Sequence, residues 1–564
     1  MRAYCEWNGR RPTPVGSPEN RTGHLSSHLG IGRSAITLAV SICNSICMVN
    51  LPTCATDVLI VGAGPTGLVL ALWLTRLGIR VRIIDKTAEP GTTSRALGVQ
   101  ARTLEFYAQL GIADSIVHQG RWASAANLWS NGRPAAHLEF GTLGASVSPF
   151  PYALIYPQDE HERFLIDCLT ELGVTVERCT ELVGFQHADL SVRTQILKPD
   201  GTKEFCRVGY VAGCDGAHST VRERLGIGFP GGTYEHLFYV ADVEADGKAL
   251  NGELNIVFDR SDFLVVFPLK GDNRARFIGT IREEQNHFYG ALTWEDVSKH
   301  IMERMRIAVE KVNWFSTYRV HHRVAGSFRS GRAFLLGDAA HIHSPVGGQG
   351  MNTGIGDAVN LAWKLAAVLR GRAKPALLES YESERIAFAR KLVETTDRVF
   401  TEVTSSRPTA RLMRLRLAPL FAPLFFSLEP TRRLLFRTVS QTAINYRGSS
   451  LSHGIAGAVR GGDRLPWVKM GSNGSGRDNF APLRSLDWQV HVYGEAKPAM
   501  EDLCDERRIP LHVFPYSTAT RDAGLRRNAA YLLRPDGYIG LAEPDGVADE
   551  VASYLDNRAL APLN

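Results

Sequence analysis

The run Asp57-Val-Leu-Ile-Val61 is apolar and largely β-branched, the pattern of a parallel strand buried on both faces. It leads directly into Gly62-Ala-Gly64-Pro65-Thr66-Gly67, after which Leu68 to Leu77 is predicted as an apolar helix closed by Gly78. Val81-Arg-Ile-Ile84 reads as a second strand with Asp85 at its carboxyl end. Further along, the runs ending at Cys214 and Gly337 each deliver an aspartate to a turn before a helix. Between them the pattern changes, and 237–243, 255–259, 263–269 and 276–281 are β-rich runs suited to an antiparallel sheet, with a return strand over 314–323. Long amphipathic helices are expected at 357–369 and 378–399. Glycine and serine then accumulate from Gly454 to Gly476, and a strand, helix, strand, strand, strand, helix order follows.

The chain is therefore read as α/β. A parallel-sheet domain over 56–230 and 331–400 is interrupted by an antiparallel-sheet substrate domain over 231–330. A helical connection over 401–470 and a small terminal domain over 471–564 complete it. Arg411 to Leu428 mixes Arg with Leu and Phe around Pro419 and Pro423, and is read as core packing or a homodimer contact rather than a membrane-surface segment.

Composition changes this picture only at the edges. Of 564 residues 44% are hydrophobic and 22% charged, ordinary for a soluble globular protein, and no run reaches the roughly 18 apolar residues of a membrane span. Half of the net charge of +6 lies before residue 48, and the remainder is nearly neutral for its length, which gives no reason to expect nucleic acid as a partner. Nine scattered cysteines, never spaced CxxC, indicate a reducing, cytoplasmic setting and no metal site. Residues 1–55 are read as a disordered extension or a misassigned start with Met48 as the true first residue, in preference to a signal or transit peptide.

Strand, glycines, helix and acid stand in the register of a dinucleotide-binding βαβ unit. Gly62 makes the turn, Gly64 lets a pyrophosphate approach the amides at the helix N-terminus, Gly67 allows close helix-strand packing, and Asp85 accepts from ribose hydroxyls. Pro65, Thr66 and Lys86 are counted with them as cofactor-binding residues. The motif alone does not decide between NAD and FAD.

Two later segments bear on that choice. Cys214-Asp215-Gly216-Ala-His-Ser-Thr-Val-Arg222 and Gly337-Asp338-Ala-Ala-His341 could each be a strand-turn-helix with a capping aspartate. Together, and with Pro345-Val-Gly-Gly-Gln-Gly350-Met351-Asn352, they resemble the fingerprints of the class A flavoprotein monooxygenases, the family of the phenol and p-hydroxybenzoate hydroxylases. The resemblance implies a Rossmann-like FAD-binding domain in which Asp215 and Gly216 belong to the cofactor site. Asp338 would bind a ribityl hydroxyl, and the turn around Gly350, Met351 and Asn352 would offer amides to the flavin, whose reduced form a helix N-terminus stabilises. It also implies that Pro345 lies along the flavin edge, that Arg95 and Gln158 contact FAD, and that Arg276 sits near the moving flavin. Arg102 is expected to make only a helix salt bridge, and Asp357, Asn360 and Lys364 are read as capping and surface residues. The phenol hydroxylase tyrosine and aspartate fall here at Ile278 and Leu97, which implies a more apolar pocket and a larger or more acidic, polyketide-like phenol.

What the family does implies an FAD-dependent monooxygenase hydroxylating an aromatic substrate with NADPH or NADH and O2, through a flavin C4a-hydroperoxide. The nicotinamide would bind transiently, since no second glycine motif exists for it. A flavin oxidase or epoxidase, or a non-catalytic flavin-binding scaffold, is the alternative. The terminal domain resembles the thioredoxin-like domain of phenol hydroxylase relatives, without a CxxC pair, so a structural or dimer-stabilising role is expected of it.

Overall fold

The computed structural model describes residues 56–91, 96–140, 144–259, 262–281, 292–344, 348–404, 428–470 and 478–563. The expectations for residues 1–55, Arg95, Pro345 and nearly all of 411–428 lie outside the described residues.

Val58–Val61 is buried at every position and pairs in parallel with Val81–Ile84 on one side and Tyr210–Gly213 on the other. These strands are the centre of a six-stranded sheet whose other members are Val176–Glu177, Ala333–Leu335 and Arg329–Ser330. Strands covered on both faces carry unbroken apolar runs, which is why this sheet could be read from the sequence. The helices Pro65–Arg76 and Gly350–Leu369 pack together in its core, where Leu68, Leu72, Ile355 and Leu361 are buried. The second of these begins at Gly350, seven residues before the expected 357, so Met351 and Asn352 lie in its first turn.

The antiparallel sheet has eight strands, and its middle is built from Ala308–Val324, Gly231–Asp246, Arg274–Ile281, Asp262–Pro268 and Leu254–Asp259. It extends outside the 231–330 stretch. The hairpin of Ala125–Ser130 and Arg133–Glu139 joins it through a parallel pairing with Leu254–Asp259, covering a row of backbone donors and acceptors that would otherwise form an open edge. One face packs Ala241, Val257, Val266 and Phe277 against Ile301, Met302 and Met305 of the helix His300–Met305. On the side of the parallel-sheet domain, Phe267 and Leu269 meet Leu97, Ala123 and Ile155.

The C-terminal sheet runs in the order 459–460, 453–456, 539–543, 530–533, 489–493, 511–514, flanked by the helices Pro498–Arg507 and Ala548–Arg558. Trp488 at its start crosses Trp363 edge to face at 5.7 Å, and both belong to the core that holds the six-stranded sheet. The unit therefore shares a core with its neighbour. A second cluster, including Tyr493, Tyr531 and Leu533, fills its other face.

That shared packing overturns the reading of Asp357, Asn360 and Lys364 as capping and surface residues, because all three are buried. Lys364 Nζ donates to Glu384 Oε2 and Asn360 Oδ1, both at 2.8 Å, and Arg534 from the C-terminal unit donates to both oxygens of Glu384 at 2.8 and 3.1 Å. Polar residues at helical spacing are buried here because partners from two other segments satisfy them. Arg102 makes the expected pair with Glu105, at 2.9 Å, yet it too is buried and also donates to the Asp536 carbonyl. Among the described residues no helix is long and apolar enough to cross a membrane.

Candidate active site

The three glycines of the first turn have different neighbours. Gly62 has φ +103°, and a Cβ there would lie 2.3 Å from the Cys214 carbonyl oxygen; at Gly67 it would lie 2.0 Å from the Gly62 oxygen. These two are required by backbone conformation and packing inside the protein. Gly64 differs, since nothing lies within 4 Å of the position its Cβ would take. Its open side adjoins the N-terminus of Pro65–Arg76, where first-turn amides have no partner within the helix.

Asp85 holds this turn in place. Its Oδ2 accepts from the Ala63 amide at 2.7 Å, and its Oδ1 accepts from the Thr87 amide and hydroxyl at 2.8 and 2.7 Å. Lys86 beside it is exposed. Arg178, which the sequence reading passed over, approaches Asp85 Oδ2 at 3.8 Å, and its buried Nη2 has no hydrogen-bond partner among the described residues.

The second turn, Gly337–Ala339, exposes Asp338 while burying its neighbours. Thr66 is where the pieces converge. A Cβ at Gly337 would come within 2.7 Å of Thr66 Oγ1, and one at Gly354 within 2.3 Å, so turn, helix and glycine loop are close-packed about one side chain. Gly350, Met351 and Asn352 open the Gly350–Leu369 helix and present its first amides. The Asn352 side chain is already committed: its Oδ1 accepts from the Gln100 amide and Thr103 hydroxyl, and its Nδ2 donates to the carbonyls of Gly98 and Gly348. Only its backbone remains to face a ligand.

Gln158 and Asp215 are engaged within the protein. Gln158 accepts from the Ala96 amide at 3.3 Å and donates to Glu162 Oε1 at 2.9 Å, while Glu162 accepts from the Gly91 amide at 2.8 Å. The start of the Gln158–Glu171 helix thus anchors the chain on both sides of 92–95, and burial pushes the Glu162 carboxyl up. Asp215 accepts from Ser219 Oγ at 2.6 Å and the Val221 amide at 3.1 Å, while Ser219 itself caps the helix Thr220–Arg224 by accepting from the Arg222 amide at 3.0 Å. Gly216 follows it at φ +78°.

On the antiparallel sheet, Arg276 and Asp242 are directly opposed on paired strands. Arg276 Nε and Nη2 donate to the two Asp242 oxygens at 2.5 and 2.8 Å, and the guanidinium carbon lies 5.4 Å from the Trp314 ring centre. Ile278, two residues on, pairs between Val240 and Val265, and Leu97 is buried against Phe267, Leu269 and Ile155.

A glycine turn open on one side, an exposed aspartate on a neighbouring turn and the N-terminus of a second helix now stand around one place. The description "FAD binding domain" matches residues 55–396 of the chain. A flavin-dependent monooxygenase of Mycobacteroides abscessus is 33% identical over 507 residues, covering 87% of this chain and 97% of that one. The 6-methylpretetramide 4-monooxygenase of Streptomyces rimosus is 36% identical over 421 residues, 72% of each. The solved anhydrotetracycline hydroxylase of Streptomyces rimosus superposes with a TM-score of 0.71 at 28% identity, covering 89% of this chain and 98% of that one. The chain belongs to the FAD-dependent aromatic monooxygenases.

FAD fits what the monooxygenase presents. Orphaned buried polar atoms border the place: besides Arg178 Nη2, His343 Nε2 and Ser344 Oγ have no partner among the described residues. His343 Nδ1 bonds the Ser344 carbonyl at 2.8 Å, and burial pulls its imidazole down to about 4, so the ring is neutral and Nε2 is an acceptor. His343 and Arg178 had no signal in the sequence. Neither lies within a recognisable motif, and each gains meaning only from the strand end or helix start beside it.

Proposed function

We propose that the monooxygenase hydroxylates a large, polycyclic or otherwise acidic phenol, consuming NADPH or NADH and O2. The observation that carries this reading is the apolar cluster of Leu97, Ile155, Phe267 and Leu269 where the antiparallel sheet meets the flavin domain, with Ile278 two residues along the strand from the charged Arg276–Asp242 pair. No side chain of that cluster would deprotonate a simple phenol. The relatives whose names specify tetracycline intermediates support a ring system of that size.

FAD, when bound, supplies hydride acceptance and oxygen activation. The chain's own residues then have these roles. The amides beside Gly64, Pro65 and Thr66 take the pyrophosphate, while Gly62 and Gly67 hold the loop's shape. Asp85, Lys86 and Arg178 border the adenosine ribose. Asp338 takes the ribityl chain, and the amides of Gly350, Met351 and Asn352 favour negative charge on the ring edge next to them. Arg95, Gln158 and Pro345 complete the cradle, and Asp215 and Gly216 shape its floor. Arg276, neutralised by Asp242, orients substrate or flavin at the cleft, and the sheet excludes water. The flavin domain spans 56–230 and 331–400 and the substrate sheet 231–330 together with the hairpin 125–139, with a connection over 401–470, a thioredoxin-like C-terminal unit over 471–564 in a structural role, a homodimer as the assembly and the cytoplasm as the location.

Anaerobic reduction of the bound flavin by NADPH and by NADH, across simple phenols and polycyclic aromatics, tests this. Acceleration by a polycyclic phenol, with a product carrying one added oxygen atom in air, is expected. Reduction without any oxygenated product would favour an oxidase, and flavin that stays oxidised throughout would favour a scaffold.

A further inference from the structure

Asp357 is fully buried on the Gly350–Leu369 helix, yet neither of its oxygens serves that helix. Its Oδ2 accepts from the Gly337 amide at 3.0 Å and from His341 Nε2 at 2.7 Å, and its Oδ1 accepts from Arg385 Nε at 2.6 Å. Arg385, on the helix Glu379–Thr404, continues the chain of contacts: Nη2 donates to the Thr353 carbonyl at 3.0 Å and Nη1 to the Tyr446 hydroxyl at 2.9 Å.

The destinations of these bonds are specific. Gly337 immediately precedes Asp338, and Thr353 immediately follows Asn352. One ion pair therefore reaches the backbone of both segments that face the flavin, without either side chain standing in the cleft. The segments are also in close contact through Thr66, where Gly337 and Gly354 leave no room for a Cβ, so a change of spacing has nowhere to be absorbed. Gln441 strengthens the same corner by donating to Thr353 Oγ1 at 2.9 Å.

We propose that Asp357 and Arg385 are positioning residues for FAD: their ion pair sets the spacing between the Asp338 turn and the amides of Gly350 to Asn352. This rests on the roles given above to that turn and that helix start. The pair thereby controls how tightly the flavin is held and how well the helix start supports charge on the ring.

The full-length chain and its variants Asp357→Asn, Arg385→Lys and Tyr446→Phe are freed of flavin and titrated with FAD by fluorescence. The bound flavin's visible spectrum and midpoint potential, and the thermal midpoint of each apoprotein, are measured alongside. Arg385→Lys keeps the charge opposite Asp357 but loses the fork to Thr353, and FAD binding is expected to weaken by roughly tenfold with a shifted potential. Tyr446→Phe removes one hydroxyl far from the flavin and should weaken binding by roughly threefold in the same direction. It decides the matter if the other two variants fail to fold. Folded variants with wild-type affinity, spectrum and potential overturn the proposal, as does a loss of apoprotein stability with those three unchanged. Failure of the wild-type chain itself to bind FAD would instead overturn the cofactor reading, and this inference with it.

Discussion

Trp363 Nε1 donates to Asp536 Oδ2 at 3.0 Å, joining the Gly350–Leu369 helix to a turn of the C-terminal sheet 173 residues later in the chain. Asp536 is held in turn by Arg534 through contacts of 2.6 and 3.0 Å, and Arg534 also grips Glu384. The C-terminal unit is fastened to the flavin domain by buried, hydrogen-bonded charge as well as by a common apolar core.

Arg534→Met should therefore destabilise the whole protein. Removing one partner leaves Glu384 and Asp536 buried with too little opposite charge, a loss of about 3–5 kcal/mol. Denaturant unfolding followed by tryptophan and flavin fluorescence should show both signals moving together to lower denaturant. Separate transitions, with the C-terminal signal melting alone, would show that the two units are only loosely joined.

Acid stability should depend on the same network. Burial pushes the Glu384 carboxyl up, but its positive neighbours, Arg534 first and then Lys364, outweigh that and hold it well below the usual glutamate value. A carboxylate depressed in the folded state contributes stability that is fully present above its unfolded value of about 4.3 and is lost as pH falls toward the folded value. Glu384→Gln removes that contribution, so the gap in unfolding free energy between wild type and variant should be largest near neutrality and shrink below about pH 4. A gap that stays constant down to about pH 2 would mean that the carboxylate's charge is unimportant.

The glycines give a sharper test of the cofactor loop. Gly67→Ala places a Cβ against the Gly62 oxygen and should destabilise the fold by about 2 kcal/mol or more. Gly64→Ala meets nothing in the protein, and its φ of −76° suits any residue, so the apoprotein should melt within about 0.5 kcal/mol of wild type. Its FAD content on purification should nonetheless fall sharply. Normal flavin content in Gly64→Ala would remove the pyrophosphate from that side of the loop.

Such local features were legible because each rests on a contiguous stretch: strand, glycine turn, helix and Asp85 lie within 29 residues. What could not be read depends on distant partners. Asp357, Asn360 and Lys364 have the spacing of a solvated helix face, and only Arg385, Glu384 and Arg534 make that face an interior one. The hairpin at 125–139 has no local mark of belonging to a sheet whose other strands begin a hundred residues later. At Asp215 the strand, turn and helix were visible in the sequence, but the cap of that helix is Ser219, which Asp215 holds through its hydroxyl.

The Arg276–Asp242 pair should behave as one unit. Asp242→Asn or Arg276→Met alone leaves a largely buried charge without its partner, at about 3–5 kcal/mol. The double variant should recover part of that loss, giving a coupling energy of about 1.5 kcal/mol or more by denaturant unfolding. Activity should not recover with it, because the double variant lacks the guanidinium proposed to orient substrate or flavin. A double variant with wild-type turnover would remove Arg276 from the chemistry.

Leu97 and Ile278 set the last expectation, on substrate choice. Leu97 is 4% exposed and packs among Ala123, Ile155 and Leu269, so Leu97→Asp buries a carboxyl in an apolar wall. Such a group is uncharged at neutral pH unless a donor or cation reaches it, and the fold should lose about 2–4 kcal/mol. Paired with Ile278→Tyr, it restores the aspartate and tyrosine that phenol hydroxylase carries at the corresponding positions, a pair proposed to take a proton from a bound phenol. Simple phenol, expected to leave flavin reduction unchanged in the wild type, should accelerate it in the double variant by roughly tenfold or more. Polycyclic aromatics should lose acceleration there, because the larger tyrosine narrows the space that Ile278 leaves. If the wild type already responds to phenol as strongly as the double variant does, the apolar wall does not select substrates.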